Sequence, residues 1–145
     1  MANWGGMART NTVKIADREG LDKALEPFDI EVRDEGEEEV TFFGNSDDGG
    51  WPVSTWIETE VPEGSGQFED VEVEFDFAKH VAPFLAEGET LITLEIGSEK
   101  MRCLTGIAGA FQKDKEPVYL DLNNIYDLAA TAFGISSEDI SPARG

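Results

Sequence analysis

The stretch LITLEIGSEKMRCLTGIAGAFQKDKEPVYLDL (91–122) decides the fold, because it holds three strand-like runs joined by two short polar turns. The turns lie at Gly97–Lys100 and Gln112–Glu116. The apolar positions of the first and third runs are Ile92, Leu94, Ile96, Val118, Leu120 and Leu122. Such alternation is typical of strands, and turns this short join antiparallel neighbours. We therefore predict a three-stranded antiparallel meander, in which Gly106 and Gly109 mark a bulge or the close approach of another element.

Helical patterns lie on both sides of this meander. Asp17 is a good N-cap for a helix that ends at or just before Pro27, and a shorter helix precedes the meander. A last helix is predicted to begin at Asn123 or Asn124 and to stop at Gly134. Its apolar face consists of Ile125, Leu128, Ala129, Ala132 and Phe133.

The first half of the chain adds further strands. Residues 11–15 predict a short strand, and Ile30–Val32 with Val40–Phe43 predict a hairpin around an acidic turn. The segment STWIETEVPEGSG (54–66) follows a Gly-rich loop and is expected to be irregular, since Pro62 limits any strand there.

Together these elements predict an α+β fold. We expect a single domain over residues 1–145, with a mostly antiparallel sheet of five to seven strands and two or three helices packed on one face. Residues 1–9 and 135–145 are expected to be loose termini.

The charge of the chain is very unevenly distributed. The 145 residues carry 31 acidic and 11 basic side chains, giving a net charge of −20. Residues 31–76 alone carry sixteen acids and one base, Arg33, and so hold −15 of that total. A clustered field of this kind attracts a cationic partner from a distance, whereas direct binding to nucleic acid or to an anionic membrane is not expected.

Within this acidic segment, residues 70–77 alternate strictly between acidic and apolar side chains, after Glu69. We predict that Val71, Val73, Phe75 and Phe77 face inward and that Asp70, Glu72, Glu74 and Asp76 form an outward row of four carboxylates. Such a row is either a solvated sheet face that discourages aggregation or a surface that meets cations. We add the remaining candidate partner-binding residues from the turns and loop nearby: Glu37, Glu38, Glu39, Asp47, Asp48, Trp51 and Trp56. The two tryptophans either cover the open side of the sheet or serve as interface anchors.

Motifs of catalysis and cofactor binding are not found in the sequence. There is no nucleophile elbow and no phosphate-binding glycine loop, and we expect neither a cofactor nor an enzymatic activity. His80 and Cys103 are each alone of their kind, so we expect structural roles for both. The loop that begins at Asn45 lacks two ligands of an EF-hand, and no metal site is expected. No apolar run spans a membrane and no secretory signal is visible, so we expect a cytoplasmic protein.

Several stretches of the chain carry a family resemblance. EKMRCLTGIAGAF (99–111), YLDLNNIYDLA (119–129), RTNTVKIAD (9–17) and DDGGWP (47–52) resemble small uncharacterised proteins encoded by phages and plasmids. The charge balance is similar to that of antirestriction and anti-CRISPR DNA mimics, a likeness of composition alone. This resemblance implies an inhibitor of a host defence protein and assigns no residue a role.

Two functional classes follow from these observations. The first is a non-enzymatic acidic protein that occupies the basic nucleic-acid-binding surface of a defence or DNA-processing protein. The second is a housekeeping or structural domain whose acidity serves solubility, for example in a salt-loving host. The small number of lysines, six, favours this class, whereas the excess of Glu (19) over Asp (12) does not. The oligomeric state stays open, with a dimer among the options.

Overall fold

The strands and helices cover most of the chain in a computed structural model, which describes residues 4–45, 49–99 and 103–143. In chain order they are β1 (Trp4–Thr10), β2 (Val13–Lys14), α1 (Arg18–Leu25), β3 (Ile30–Gly36), β4 (Glu39–Gly44), β5 (Ser54–Glu60), β6 (Phe68–Glu74), α2 (Phe77–His80), a 3-10 helix (Ala82–Phe84), β7 (Leu91–Glu99), β8 (Cys103–Phe111), β9 (Val118–Asp121), α3 (Asn124–Phe133) and a 3-10 helix (Ser137–Asp139).

Seven of the strands form one antiparallel sheet, and the fold is α+β as predicted. β3 pairs with one edge of β4, while β1 and β2 pair with its other edge. The order then continues through β7, β8 and β9. The predicted meander over 91–122 is confirmed, with Leu91 opposite Phe111 and Ala108 opposite Leu120. The predicted turn at Gly97–Lys100 is wrong for residues 97–99, which continue β7, with Gly97 opposite Thr105 and Glu99 opposite Cys103.

The hydrophobic core lies on one face of this sheet, here called the inner face. Helix α1 contributes Leu21 and Leu25, and its N-cap Asp17 accepts a hydrogen bond from the Gly20 N–H at 3.0 Å, as the sequence predicts. Phe42 and Leu91 pack against them from the sheet. The segment of α2 and the following 3-10 helix completes the layer with Phe77, Val81, Ala82 and Leu85.

The opposite, outer face is apolar and left uncovered by the described residues over β7, β8 and β9, whereas over β1 and β3 it also carries Arg9, Glu31 and Arg33. Its exposed apolar members are Met7, Leu94, Ile96, Leu104, Val118, Leu120 and Leu122. The alternation of β7 therefore places Leu94 and Ile96 outside, whereas the buried Thr93 points to the core. Helix α3 covers neither face and has no buried residue.

A close approach explains each of the two glycines in β8. An added Cβ at Gly109 would lie 2.7 Å from the Phe111 Cε2 atom and 2.8 Å from the Thr93 Oγ1 atom. An added Cβ at Gly106 would lie 2.7 Å from the Cγ atom of Leu122, so the space beside Gly106 is filled by that side chain. The pairing of β7 with β8 runs without a register shift, which means that the glycines mark close approaches rather than a bulge.

Both predicted loose termini need correction. Residues 4–9 belong to β1, which pairs with β7 over seven consecutive residues, so the loose arm is wrong for that stretch. The segment after residue 135 contains a 3-10 helix, and its Ala143 N–H donates a hydrogen bond to the Tyr126 hydroxyl at 2.6 Å. This contact holds the tail along α3.

The expectation of irregular structure over 54–66 is also wrong. Residues Ser54–Glu60 form β5, which pairs with β6 over seven residue pairs from Ser54–Glu74 to Glu60–Phe68. The two strands make a separate two-stranded sheet, here called the ribbon. Paired strands satisfy each other's backbone groups, and so β5 forms without packing on the core.

Candidate functional site

The ribbon collects carboxylates from both of its strands on one face. Residues directly opposite each other on paired strands share a face, and so do residues two apart along a strand. Glu58 lies opposite Asp70, Trp56 opposite Glu72, and Ser54 opposite Glu74. The resulting acidic face consists of Glu58, Glu60, Asp70, Glu72 and Glu74. Carboxylates along one strand are about 6.6–6.8 Å apart at the backbone, and those across the strands about 4.5–5.5 Å.

These carboxylates have no cationic partners within the described residues. The ion pairs found there are Arg18 with Asp22 and Asp34, and Arg33 with Glu31, all outside the ribbon. Residues 54–74 contain no Lys, Arg or His at all. Like charges directly opposite each other repel, so the free acidic face carries an electrostatic cost that a cation would relieve.

Two aromatic side chains stand on the same face as the carboxylates. Trp56 is 65% exposed and Phe68 is 58% exposed. Trp56 lies opposite Glu72 and Phe68 opposite Glu60, so each ring adjoins a carboxylate. Exposed aromatic groups beside charged groups are the usual anchors of protein interfaces.

Trp51 has a different position from that of Trp56. Its ring is half-buried and packs edge-on against Phe77, with ring centroids 4.8 Å apart, and its backbone N–H donates to Glu95 at 2.8 Å. Trp51 therefore covers the core and is not brought together with the acidic face. Of the two roles predicted for the tryptophans, Trp51 has the covering one.

Asp76 does not belong to the predicted row of four. Strand β6 ends at Glu74, and the Asp76 carboxylate caps α2 by accepting from the Ala78 N–H at 2.9 Å. The inward set is also divided, since Phe77 is in the core while Val71, on the second face of the ribbon, is 37% exposed. The alternation of acidic and apolar residues continues to Phe77 in the sequence, although β6 ends at Glu74 and α2 begins at Phe77.

Replacing Asp76 with Ala is expected to lower the free energy of unfolding by about 1 kcal/mol, because the N-terminus of α2 loses its cap. Urea denaturation checks this value. Glu74→Ala is the matched control, since this substitution also removes one negative charge but Glu74 caps no helix. The unfolding free energy of the control should stay within about 0.5 kcal/mol of the wild type. The opposite order of the two losses would contradict the assignment.

The remaining predicted acids lie apart from the ribbon or outside the described residues. Glu37 and Glu38 form the turn between β3 and β4, and Glu39 is the first residue of β4. The chain leaves for the ribbon from the other end of that strand, after Gly44. Glu38 adopts a φ of 64°, and Glu39 lies opposite Lys14. Asp47 and Asp48 lie outside the described residues.

A small aromatic cleft lies on the inner face beside the base of the ribbon. It has a volume of about 180 Å³, and its lining includes Trp51, Asp76, Glu95 and Tyr119. Partial burial raises the pKa of the Tyr119 phenol, and the negative charge of Asp76 adds to the rise. Both carboxylates already accept backbone hydrogen bonds, from Ala78 and from Trp51.

His80 has the surroundings of a structural residue. Its ring stacks on Phe75 at 5.7 Å and lies 4.8 Å from Phe28, and its Nδ1 atom is 3.1 Å from the backbone of Asp76. The backbone of Cys103 begins β8, and its side chain lies outside what the structure describes.

Sequence reasoning missed two members of the acidic face, Glu58 and Glu60. The signal was present, because Trp56, Glu58 and Glu60 alternate with Thr55, Ile57 and Thr59, the period of a strand. The prediction of irregular structure rested instead on Pro62. This proline lies beyond Glu60, the last residue of β5, and removes no hydrogen bond from the ribbon.

Comparisons with known proteins add nothing to this geometry. Among the described residues, no group of three or more His, Cys, Asp or Glu side chains is arranged to hold a metal ion. In the same ranges no helix combines the length and apolar character needed to cross a membrane. Searches against protein-family models, curated proteins and solved structures gave no significant match.

Proposed function

We propose that the protein is a non-enzymatic inhibitor that uses its acidic face to occupy a basic nucleic-acid-binding surface on a defence or DNA-processing protein. The proposal places it in the cytoplasm and among the DNA mimics that phages and plasmids encode. The partner is a protein, and neither nucleic acid nor membrane is bound directly.

The observation that carries this proposal is the collection of five carboxylates on one face of the ribbon, none of which has an ion-pair partner among the described residues. A groove built for DNA or RNA presents Arg and Lys side chains at the spacing of phosphates. Closely spaced carboxylates on a two-stranded scaffold compete for those side chains. Trp56 and Phe68 supply apolar contact area at the same surface.

The test compares two quadruple variants that each remove four negative charges and leave a net charge of −16. The ribbon variant is E58Q/D70N/E72Q/E74Q, and the control is E87Q/E116Q/E138Q/D139N, whose residues are exposed and scattered. One readout is binding of a fluorescent oligo-arginine peptide. For the other readout, the wild type first captures a basic protein from a host lysate, with washes across a salt gradient. Displacement of a labelled DNA duplex from that captured protein is then measured.

We expect the ribbon variant to weaken both readouts on the order of 100-fold and the control to weaken them less than about 10-fold. Both variants should keep the wild-type circular dichroism spectrum, since none of the changed side chains is buried. Equal losses would mean that only total charge matters. No loss from either variant, with stability rising steeply in molar salt, would favour the solubility domain and refute the inhibitor.

A further inference from the structure

The outer face of the sheet is unusual for a chain so rich in acid. Leu94 lies opposite Ala108, which lies opposite Leu120, and Ile96 lies opposite Met7, so the apolar side chains form a continuous surface. Among the described positions of β7, β8 and β9 on this face, none carries a charged side chain. A groove of about 480 Å³ crosses it beside Met7, Ile96, Leu104 and Leu122. At its β1 edge, Arg9 lies opposite Leu94 and places its guanidinium 3.1 Å from the Met7 Sδ atom, while the rest of the surface exposes apolar groups to water without a charged neighbour on β7, β8 or β9.

A second apolar surface without a partner belongs to helix α3. Ile125 is 60% exposed, Leu128 58% and Phe133 75%. Asp127 is the only charged residue in the helix, so charged groups do not solvate the stripe. Most helices of this length obtain their stability from tertiary packing of an apolar face, and none of the described parts of the chain buries the apolar face of α3.

The two surfaces match in size. A ten-residue helix is about 15 Å long, and three adjacent strands span about 10 Å between the outer two, so α3 can lie across β7, β8 and β9. Seven exposed side chains on the outer face and four on α3 and at Ile135 are each 48–75% exposed. Together they present on the order of 1,000 Å² of apolar surface, while each partner of a stable dimer buries about 800 Å².

We propose that two copies of this chain associate through a twofold interface in which the α3 stripe of each copy packs on the outer face of the other. Such an interface is self-complementary, as a twofold dimer requires, and buries both unpartnered surfaces at once. It places two largely apolar surfaces together, with Asp127 on α3 and Arg9 at the edge of the outer face as their charged residues of opposite sign, and leaves both acidic ribbons outside. The inference does not depend on the partner proposed above.

Sedimentation velocity tests this association on the full chain. The wild type is expected to sediment with twice the chain mass of 15.9 kDa. A sheet variant, L94E/L120E, and a helix variant, L128E/F133E, should each sediment as a single chain. In a single copy these four side chains are 49–75% exposed, so both variants should keep the wild-type circular dichroism spectrum. The control V53E/F68E adds the same two charges at positions 80% and 58% exposed on and beside the ribbon, and should remain a dimer.

Mixing the sheet variant with the helix variant separates this arrangement from others. The mixture contains one intact helix and one intact outer face, so it should form a heterodimer that neither variant forms alone. Added salt should strengthen the association by screening repulsion between two chains of −20 each. A wild type that stays monomeric at high concentration and salt, as it would if α3 closed on its own sheet, overturns the proposal, and so does a dimer that survives L128E/F133E.

Discussion

Replacing Phe77 with Ala is expected to lower the free energy of unfolding by about 3–5 kcal/mol, enough to unfold a large share of a marginally stable domain. Phe77 is 7% exposed and its ring contacts four other aromatic rings. The centroid distances are 4.8 Å to Trp51, 4.8 Å to Phe75, 5.7 Å to Phe111 and 6.3 Å to Phe42. These neighbours come from the loop, the base of the ribbon and two sheet strands, so no single element can move to fill the cavity.

Chemical denaturation followed by tryptophan fluorescence measures this loss. Phe68→Ala is the matched control, because it deletes the same ring from an exposed position on the ribbon. We expect that control to change the unfolding free energy by about 0.5 kcal/mol or less. Similar losses from both variants would mean that the ribbon is as much a part of the core as Phe77.

Replacing the ribbon, residues 54–74, with the dipeptide Asn-Gly is expected to abolish displacement of DNA from the captured partner while the sheet stays folded. The ends to be joined are already adjacent, since the Phe75 N–H donates to the Val53 carbonyl at 2.8 Å. Asn-Gly is the preferred two-residue connection between paired strands. No ribbon residue belongs to the core cluster, and the deletion removes seven carboxylates, leaving a net charge of −13.

Thermal unfolding and the displacement assay together decide this prediction. The shortened chain should keep a cooperative transition and lose the inhibitory activity completely. A folded, shortened chain that still displaces DNA would show that the acidic face is not the binding surface. Loss of the cooperative transition would show that the core needs the ribbon, contrary to its packing.

The meander and the helices were predictable because each follows from local signals. Alternation and two polar turns define 91–122, and Asp17 and Gly134 mark the ends of helices where the structure has them. β1 was not predictable in this way, because the glycines of WGGMART (4–10) interrupt any alternation. Its seven pairs with β7 are long-range contacts, which no local pattern encodes. The uncovered outer face was equally unpredictable, since alternation divides the residues of a strand between two faces but does not indicate which face is buried.

The candidate site was predicted only in part for a related reason. Asp70, Glu72 and Glu74 lie on one face as the alternation indicates, and Asp76 does not because a helix begins there. Glu58 and Glu60 join the acidic face through pairing with β6, and pairing is a tertiary event. The sequence pattern indicates which residues of one strand share a side, but it does not indicate which other strand pairs with it.

The separation of the ribbon from the core has an evolutionary consequence. A substitution on the ribbon changes what the protein meets without changing how well the sheet folds, so mutations that alter recognition escape the usual penalty in stability. Under the proposed function, such a chain can follow a target that mutates its own basic groove, one exposed residue at a time. The exposed residues of the ribbon would then diverge fastest among relatives, while the residues around Phe77 would stay fixed.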